Sequence, residues 1–308
     1  MIVIGIMALL AIFAPVFAAV LNHGVYQAFT NTGLSSAGIP VGPGTHDFIL
    51  GTDYIGRDLL VRILYGARIS LFVGILTTAM ATVAGVSIGL VAGYFGGWVD
   101  AVLARFIDIV LAFPFIVLAL ALAAIYGPSL TIVIGVITFF SWAGISRIVR
   151  GQTLSLKEKE YIEAARSLGA GPVRIMFIDI FPNLLGPVLV LATLYIPTAI
   201  VFEATLSFLS IGIPAPTPSW GVILSEAQDF YQVSWWYVLF PALALLITTL
   251  AFNLLGDGIR DAMDPRTERF FAARQGRIRR KRTGGKAAPA GELAAGTPGV
   301  SPGAAEGA

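Results

Sequence analysis

Glu160–Asn183 reads EYIEAARSLGAGPVRIMFIDIFPN. The stretch is charged and jointed, yet apolar runs long enough to cross a membrane flank it on both sides. Its pattern predicts two short helices. The first runs from about Ser155 to Leu168, with Tyr161, Ala165 and Leu168 recurring at i, i+4 and i+7 as one apolar stripe. Gly169 follows where a left-handed C-cap is wanted, and Pro172 opens the second helix at its favoured first position. Val173, Met176, Phe177 and Ile180 form the second apolar face, and Pro182 marks an elbow into the next apolar run. Neither helix is long enough to hold alone in water, so each has to dock on something. Ala164 and Ala165, bare beside Glu163, let a partner's groove close on the first helix. A loop that only caps its own bundle needs neither the charge nor the bare pair.

The rest of the chain places this hook. Of 308 residues, 56% are hydrophobic and 12% charged, where a soluble domain carries about 25% charged residues. Mean hydropathy is +0.83. This is the composition of an all-α polytopic membrane protein. Six segments are apolar enough to span: Met1–Leu21, Ile69–Phe95, Val99–Tyr126, Leu130–Ile148, Leu184–Phe202 and Trp236–Leu255. Met1–Leu21 is read as a span and not a cleaved signal peptide, because no basic residue precedes it. All but three of the 20 lysines and arginines fall on one side of this arrangement; Arg57, Arg62 and Arg68 are the exceptions. The basic side is cytoplasmic, which puts both termini and the hook inside.

The expected organisation follows: a first transmembrane helix over 1–21, an extracytoplasmic segment over 22–68, a five-helix core over 69–257 carrying the hook loop 151–182, and a basic tail over 258–308. Leu59, Leu60, Ile63 and Leu64 share one helical face in the second segment, with Arg57, Asp58 and Arg62 on the other. Asp58–Ala67, with Gly56 just before it, is expected to be a short interfacial helix at the outer mouth, either a surface that meets another protein or a lead-in to the second span. From about residue 276 the tail is Gly-, Ala- and Pro-rich and is expected to be disordered. Its RIRRKR run suits anionic headgroups of membrane lipid, and no nucleic-acid role is needed to explain it. Gly85, Gly89, Gly93 and Gly97 recur every four residues, a groove for close helix packing.

Several chemistries are excluded. There are no cysteines, and His23 and His46 are isolated, which argues against a metal site. No Walker A, HExxH or GxSxG motif occurs, so the chain is not expected to be an enzyme. Asp100, Arg105 and Asp108 cluster at the start of the third span, where Arg105 and Asp108 are spaced to pair. Glu203 lies roughly 30 Å up a helix from Pro182 at 1.5 Å per residue. No ionisable group falls clearly at the midplane, where secondary transporters and channels, the alternative class, place their relays.

Glu163-Ala164-Ala165, Gly169 and Phe181-Pro182 resemble in spacing the cytoplasmic EAA loop of ABC-importer permease subunits. Asp179 and Phe181 depart from that pattern, which prefers isoleucine and leucine there. GTDYIGRDLLVRILYGARISL at Gly51–Leu71, SFLSIGIPAPTPSWGVIL at Ser207–Leu224 and NLLGDGIRDAMDPR at Asn253–Arg266 resemble signatures of the dipeptide/oligopeptide/nickel permease group. The resemblance implies the type I ABC importer fold with six transmembrane helices. It implies a homologous second permease, two cytoplasmic ATPase subunits and an extracytoplasmic solute-binding protein as partners. ATP and Mg would sit on the ATPase subunits, with no cofactor in this chain. Glu163, Ala164, Ala165, Gly169 and Pro182 would couple ATP hydrolysis to the pathway.

Overall fold

A computed structural model describes residues 1–263. The readings of the tail beyond 263, its disorder included, lie outside the described residues. Within them the chain is helical, with only isolated β-bridges in the segment after the first helices.

Helices α1 (Ile2–Ile12) and α2 (Ala14–Leu21) are bent by 57°. Pro15, in the first turn of α2, has no N–H and its ring crowds the preceding turn, so one straight helix cannot form. After a non-helical segment, α3 runs without a break over Leu59–Phe95, capped by Asp58, whose carboxylate accepts from the Val61 amide at 3.1 Å. The expected interfacial helix is therefore the first part of the spanning helix. Nothing separates Ala67 from Ile69, since every residue there favours continuing.

α4 (Gly97–Ala112) and α5 (Phe115–Tyr126) meet at 78°, where one span over Val99–Tyr126 was expected. Pro114 forces Phe113 into an extended conformation, ψ 134°, and ends α4. α6 (Leu130–Leu156) outruns its expected end at Ile148. α7 (Glu160–Ser167) is the short hook helix, and α8 (Pro172–Phe208) follows it. A short α9 (Trp220–Ala227) and the long α10 (Trp235–Met263) complete the order. α3, α6, α8 and α10 are each long and apolar enough to cross a membrane, and the two bent pairs bring the spans to six if each counts as one.

Glycine sets how closely the bundle packs. A Cβ on Gly85 would lie 2.7 Å from Ile145, on Gly89 2.6 Å from the Ser146 carbonyl, and on Gly93 2.6 Å from Thr153. The α3 groove therefore takes the backbone of α6 itself, as the spacing predicted. Gly97 does not belong to it. α3 has already ended at Gly96, φ 65°, and a Cβ on Gly97 would meet nothing within 4 Å. A Cβ on Gly74 would press on Ile200, and one on Gly221 on the Ala204 backbone. α3, α8 and α9 are thus drawn together at the end remote from the hook.

Candidate functional site

At the hook end, α6 stops at Leu156 and the chain turns through Lys157–Lys159 into α7. The hook helix so begins at Glu160 and not near Ser155. Glu160 and Glu163 lie in its first turn and Arg166 in its last, each sign favourable to the helix dipole. Its end is a Schellman turn: Gly169 N–H reaches the Arg166 carbonyl and Ala170 N–H the Ala165 carbonyl, both at 3.0 Å. Gly169 has φ 85°, the left-handed region that favours glycine.

The side that docks differs from the expected stripe. Ile162 is completely buried, whereas Tyr161 and Leu168 are exposed. In the next helix Ile175, Met176 and Ile180 are buried, while Val173 and Phe177 are exposed. The reason is winding: Ile175–Ile180 is a π-helical segment. Its wider turn brings i, i+1 and i+5 onto one face in place of the α-helical set. Pro182 follows within a continuous helix and makes no elbow. Asn183 Nδ2 donates to the Asp179 carbonyl at 2.7 Å, where the winding returns to α. Ile162, Ile175, Met176 and Ile180 join one cluster with Ile145 and Val149 of α6. The hook is thereby anchored by one face, and Glu163, Ala164, Gly169 and Pro182 are left exposed with Ala165 half-buried. A hollow of about 460 Å³ opens beside it, lined by Tyr94, Lys157, Glu163, Arg166 and Pro172.

Arginines of α6 tie this end to α4. Arg150 grips Asp100 with two nitrogens, and Arg147 donates to Asp108 at 2.5 Å. Asp108 thus pairs across helices, not with Arg105 on its own helix as the spacing suggested.

At the opposite end, Arg57, Asp58 and Arg62 are not on a surface; all are at most 3% exposed. Asp53 lies between the two arginines: its Oδ2 accepts from Arg57 Nε at 2.5 Å and from Arg62 Nη1 at 2.6 Å, and its Oδ1 from the Ile55 and Arg57 amides. Glu226 of α9 closes the cluster. It accepts from Arg62, from Arg57 Nη2 at 3.2 Å and from the Tyr237 hydroxyl at 3.0 Å. Two positive and two negative side chains compensate each other, the condition under which buried charge is tolerated. Asp58 holds His23 at 2.6 Å between the rings of Phe29 and Phe48, so this histidine is a buried anchor. Gly56 takes φ 84°, and a Cβ there would lie 3.0 Å from the Phe29 carbonyl.

Asp53, Glu226 and Tyr237 were not singled out from sequence. Asp53 stands inside the quoted GTD stretch, but nothing local points to Glu226. Glu203, noted in the sequence for its place along the helix, has a structural role here. It is fully buried, accepting from Ser70 Oγ at 2.8 Å and Ser207 Oγ at 2.9 Å, and it joins α3 to α8. The Trp220 indole donates to the Ile63 carbonyl at 3.1 Å and secures α9 on α3. Among the described residues no group of three or more His, Asp or Glu side chains could hold a metal ion.

The chain resembles known proteins. Residues 85–269 match the family described as binding-protein-dependent transport system inner membrane component. The dipeptide transport system permease protein DppC of Alkalihalophilus pseudofirmus is 42% identical over 266 residues, 86% of this chain and 84% of that protein. The DppC of Haemophilus influenzae is 44% identical over 72% of this chain and 76% of its own length. The glutathione transport system permease protein GsiD of Pectobacterium atrosepticum is 44% identical over 70% and 72%. Among solved structures, the inward-facing MetNI methionine ABC transporter superposes with a TM-score of 0.56 at 20% identity, covering 66% of this chain and 96% of that one. That likeness shows the fold, a type I ABC importer permease. The chain belongs to the family of binding-protein-dependent transport system inner membrane components, the membrane permeases of ABC importers.

Proposed function

We propose that the chain forms half of the translocation pathway of an ATP-driven importer for di- or oligopeptides, and that α7 is the element through which an ATPase subunit drives it. The peptide reading is supported by the dipeptide and di/tripeptide permeases at 40–44% identity. In this reading a homologous permease supplies the other half, two ATPase subunits carry ATP and Mg, and a solute-binding protein delivers the peptide. The hook, both termini and the α4–α6 ion pairs face the cytoplasm, in keeping with the distribution of basic residues. The ion cluster faces outward.

One observation carries the coupling role. The hook is fastened by Ile162 on one side, while Glu163 and Ala164 stand exposed over a charged hollow. A push on the exposed side reaches the spans through the π-helical start of α8. Gly169 offers a clean test, because a Cβ there meets nothing within 4 Å. Gly169→Val strains only the turn, by about 1–2 kcal/mol, and leaves the packing of the bundle alone. In the reconstituted transporter this variant, and Glu163→Lys more mildly, should lose uptake and the stimulation of ATP hydrolysis by loaded binding protein, with normal membrane insertion. Wild-type uptake and stimulation in both variants would reduce the hook to a cap on its own bundle.

A further inference from the structure

We propose that Arg68 is the centre of a small groove that receives the free carboxylate of a transported peptide; this rests on the peptide reading above. α3 presents Tyr65, Arg68 and Phe72 along one face, at i, i+3 and i+7. The non-helical segment before α3 brings Tyr26 to one side, and the turn before α9 brings Thr217 and Pro218 to the other. Together they enclose about 330 Å³, within the size range of small-ligand sites.

The three arginines at this end have different fates. Arg57 and Arg62 are buried and committed to Asp53 and Glu226. Arg68 is exposed, and among the described residues it forms no ion pair. Its guanidinium lies 5.6 Å from the centre of the Tyr65 ring, a stacking that orients the charge without neutralising it. A planar fork left free, in a groove lined also by Tyr26, Tyr65 and Thr217, matches a carboxylate by geometry as well as by sign. The apolar parts of Tyr26, Phe72 and Pro218 suit the side chain next to that carboxylate.

The far wall is held firmly. Ser219, next to Pro218, caps α9 by accepting from the Val222 amide at 3.2 Å. The Trp220 amide donates to Ser70 Oγ at 3.4 Å, and Ser70 donates to the buried Glu203. Glu203 thus fixes the turn at 217–220 against α3, two residues from Arg68. The groove is preformed, which lowers the cost of ordering a ligand in it.

The test compares two dipeptides of one sequence, one with a free C-terminal carboxylate and one with a C-terminal amide, in the complete transporter reconstituted with its binding protein. The quantity is the ratio of acid to amide uptake. The binding protein is the same throughout, so its own preference cancels when variants are compared. Loss of one charge-assisted contact is expected to lower this ratio about tenfold in Arg68→Gln. Arg68→Lys, which keeps the charge but not the fork, should give an intermediate ratio, and uptake of the amide peptide by both variants guards against a general assembly defect. An Arg68→Gln transporter that still moves peptide with the wild-type ratio overturns the groove alone. A loss that instead tracks the anionic lipid content of the liposomes and strikes acid and amide equally assigns the groove to a headgroup and overturns the proposal. A wild-type transporter that moves neither dipeptide overturns the peptide reading itself.

Discussion

Removing Glu226 should destabilise the protein more than removing any ion pair at the hook end. The carboxylate accepts from Arg62, Arg57 and Tyr237, and its side chain is 10% exposed. Glu226→Ala leaves the cluster with one uncompensated positive charge. Arg62, 0% exposed, would keep only Asp53, and its Nε and Nη2 already have no partner among the described residues. Breaking a buried pair from one side costs about 3–5 kcal/mol, because the remaining charge stays buried. At roughly 2–4 °C per kcal/mol for a chain of this size, the midpoint of thermal unfolding should fall by roughly 6–20 °C. Arg147→Ala is the control. Its pair with Asp108 is 55% and 50% exposed, so its loss is worth about 0–1 kcal/mol after screening. The assay is tryptophan fluorescence during heating of the purified protein in detergent. Trp220 reports directly, since its indole is bonded to the Ile63 carbonyl one residue from Arg62. If the two variants unfold within a degree or two of each other, the cluster is solvated and not the buried lock the geometry describes.

Two further outcomes are expected. Gly89→Leu places a side chain where even a Cβ would be 2.6 Å from the Ser146 carbonyl. It should lower thermal stability by about 1–3 kcal/mol or more through overpacking, whereas Gly97→Ala, in open space with φ 53°, should cost only about 1 kcal/mol of backbone strain; equal effects would refute the assigned end of the groove. Ser36 and Ser155 are both exposed, and the chain has no cysteine, so single cysteines at each report topology. In intact cells an impermeant thiol reagent should label Ser36→Cys and spare Ser155→Cys; the reverse pattern inverts the proposed orientation.

Much of the bundle was legible in the sequence because a membrane imposes simple, local demands. A span must be apolar for about 20 residues, and each of the six apolar runs coincides with a helix or a bent helix pair. The Gly169 turn was equally legible, since only its own backbone has to adopt the conformation. The glycine groove could be read at Gly85, Gly89 and Gly93 but not at Gly97, because periodicity continues on paper after Gly96 has ended the helix.

Tertiary structure decided the rest, wherever the partner is far along the chain. Arg57, Asp58 and Arg62 read as the polar face of an interfacial helix, as charges usually do. The two arginines are buried because Glu226, 164 residues from Arg62, arrives on α9 to compensate them together with Asp53, and Asp58 is buried against His23. No local pattern encodes that meeting. The buried face of the hook was likewise settled by packing: α-helical spacing pointed to Tyr161 and Phe177, but α7 docks through Ile162, and the π-helical winding at Ile175–Ile180 turned Ile175 and Ile180 inward. The chain's apolar pattern is enough to choose its solvent. Which polar groups survive inside that solvent depends on which opposite charges the fold brings within hydrogen-bonding distance.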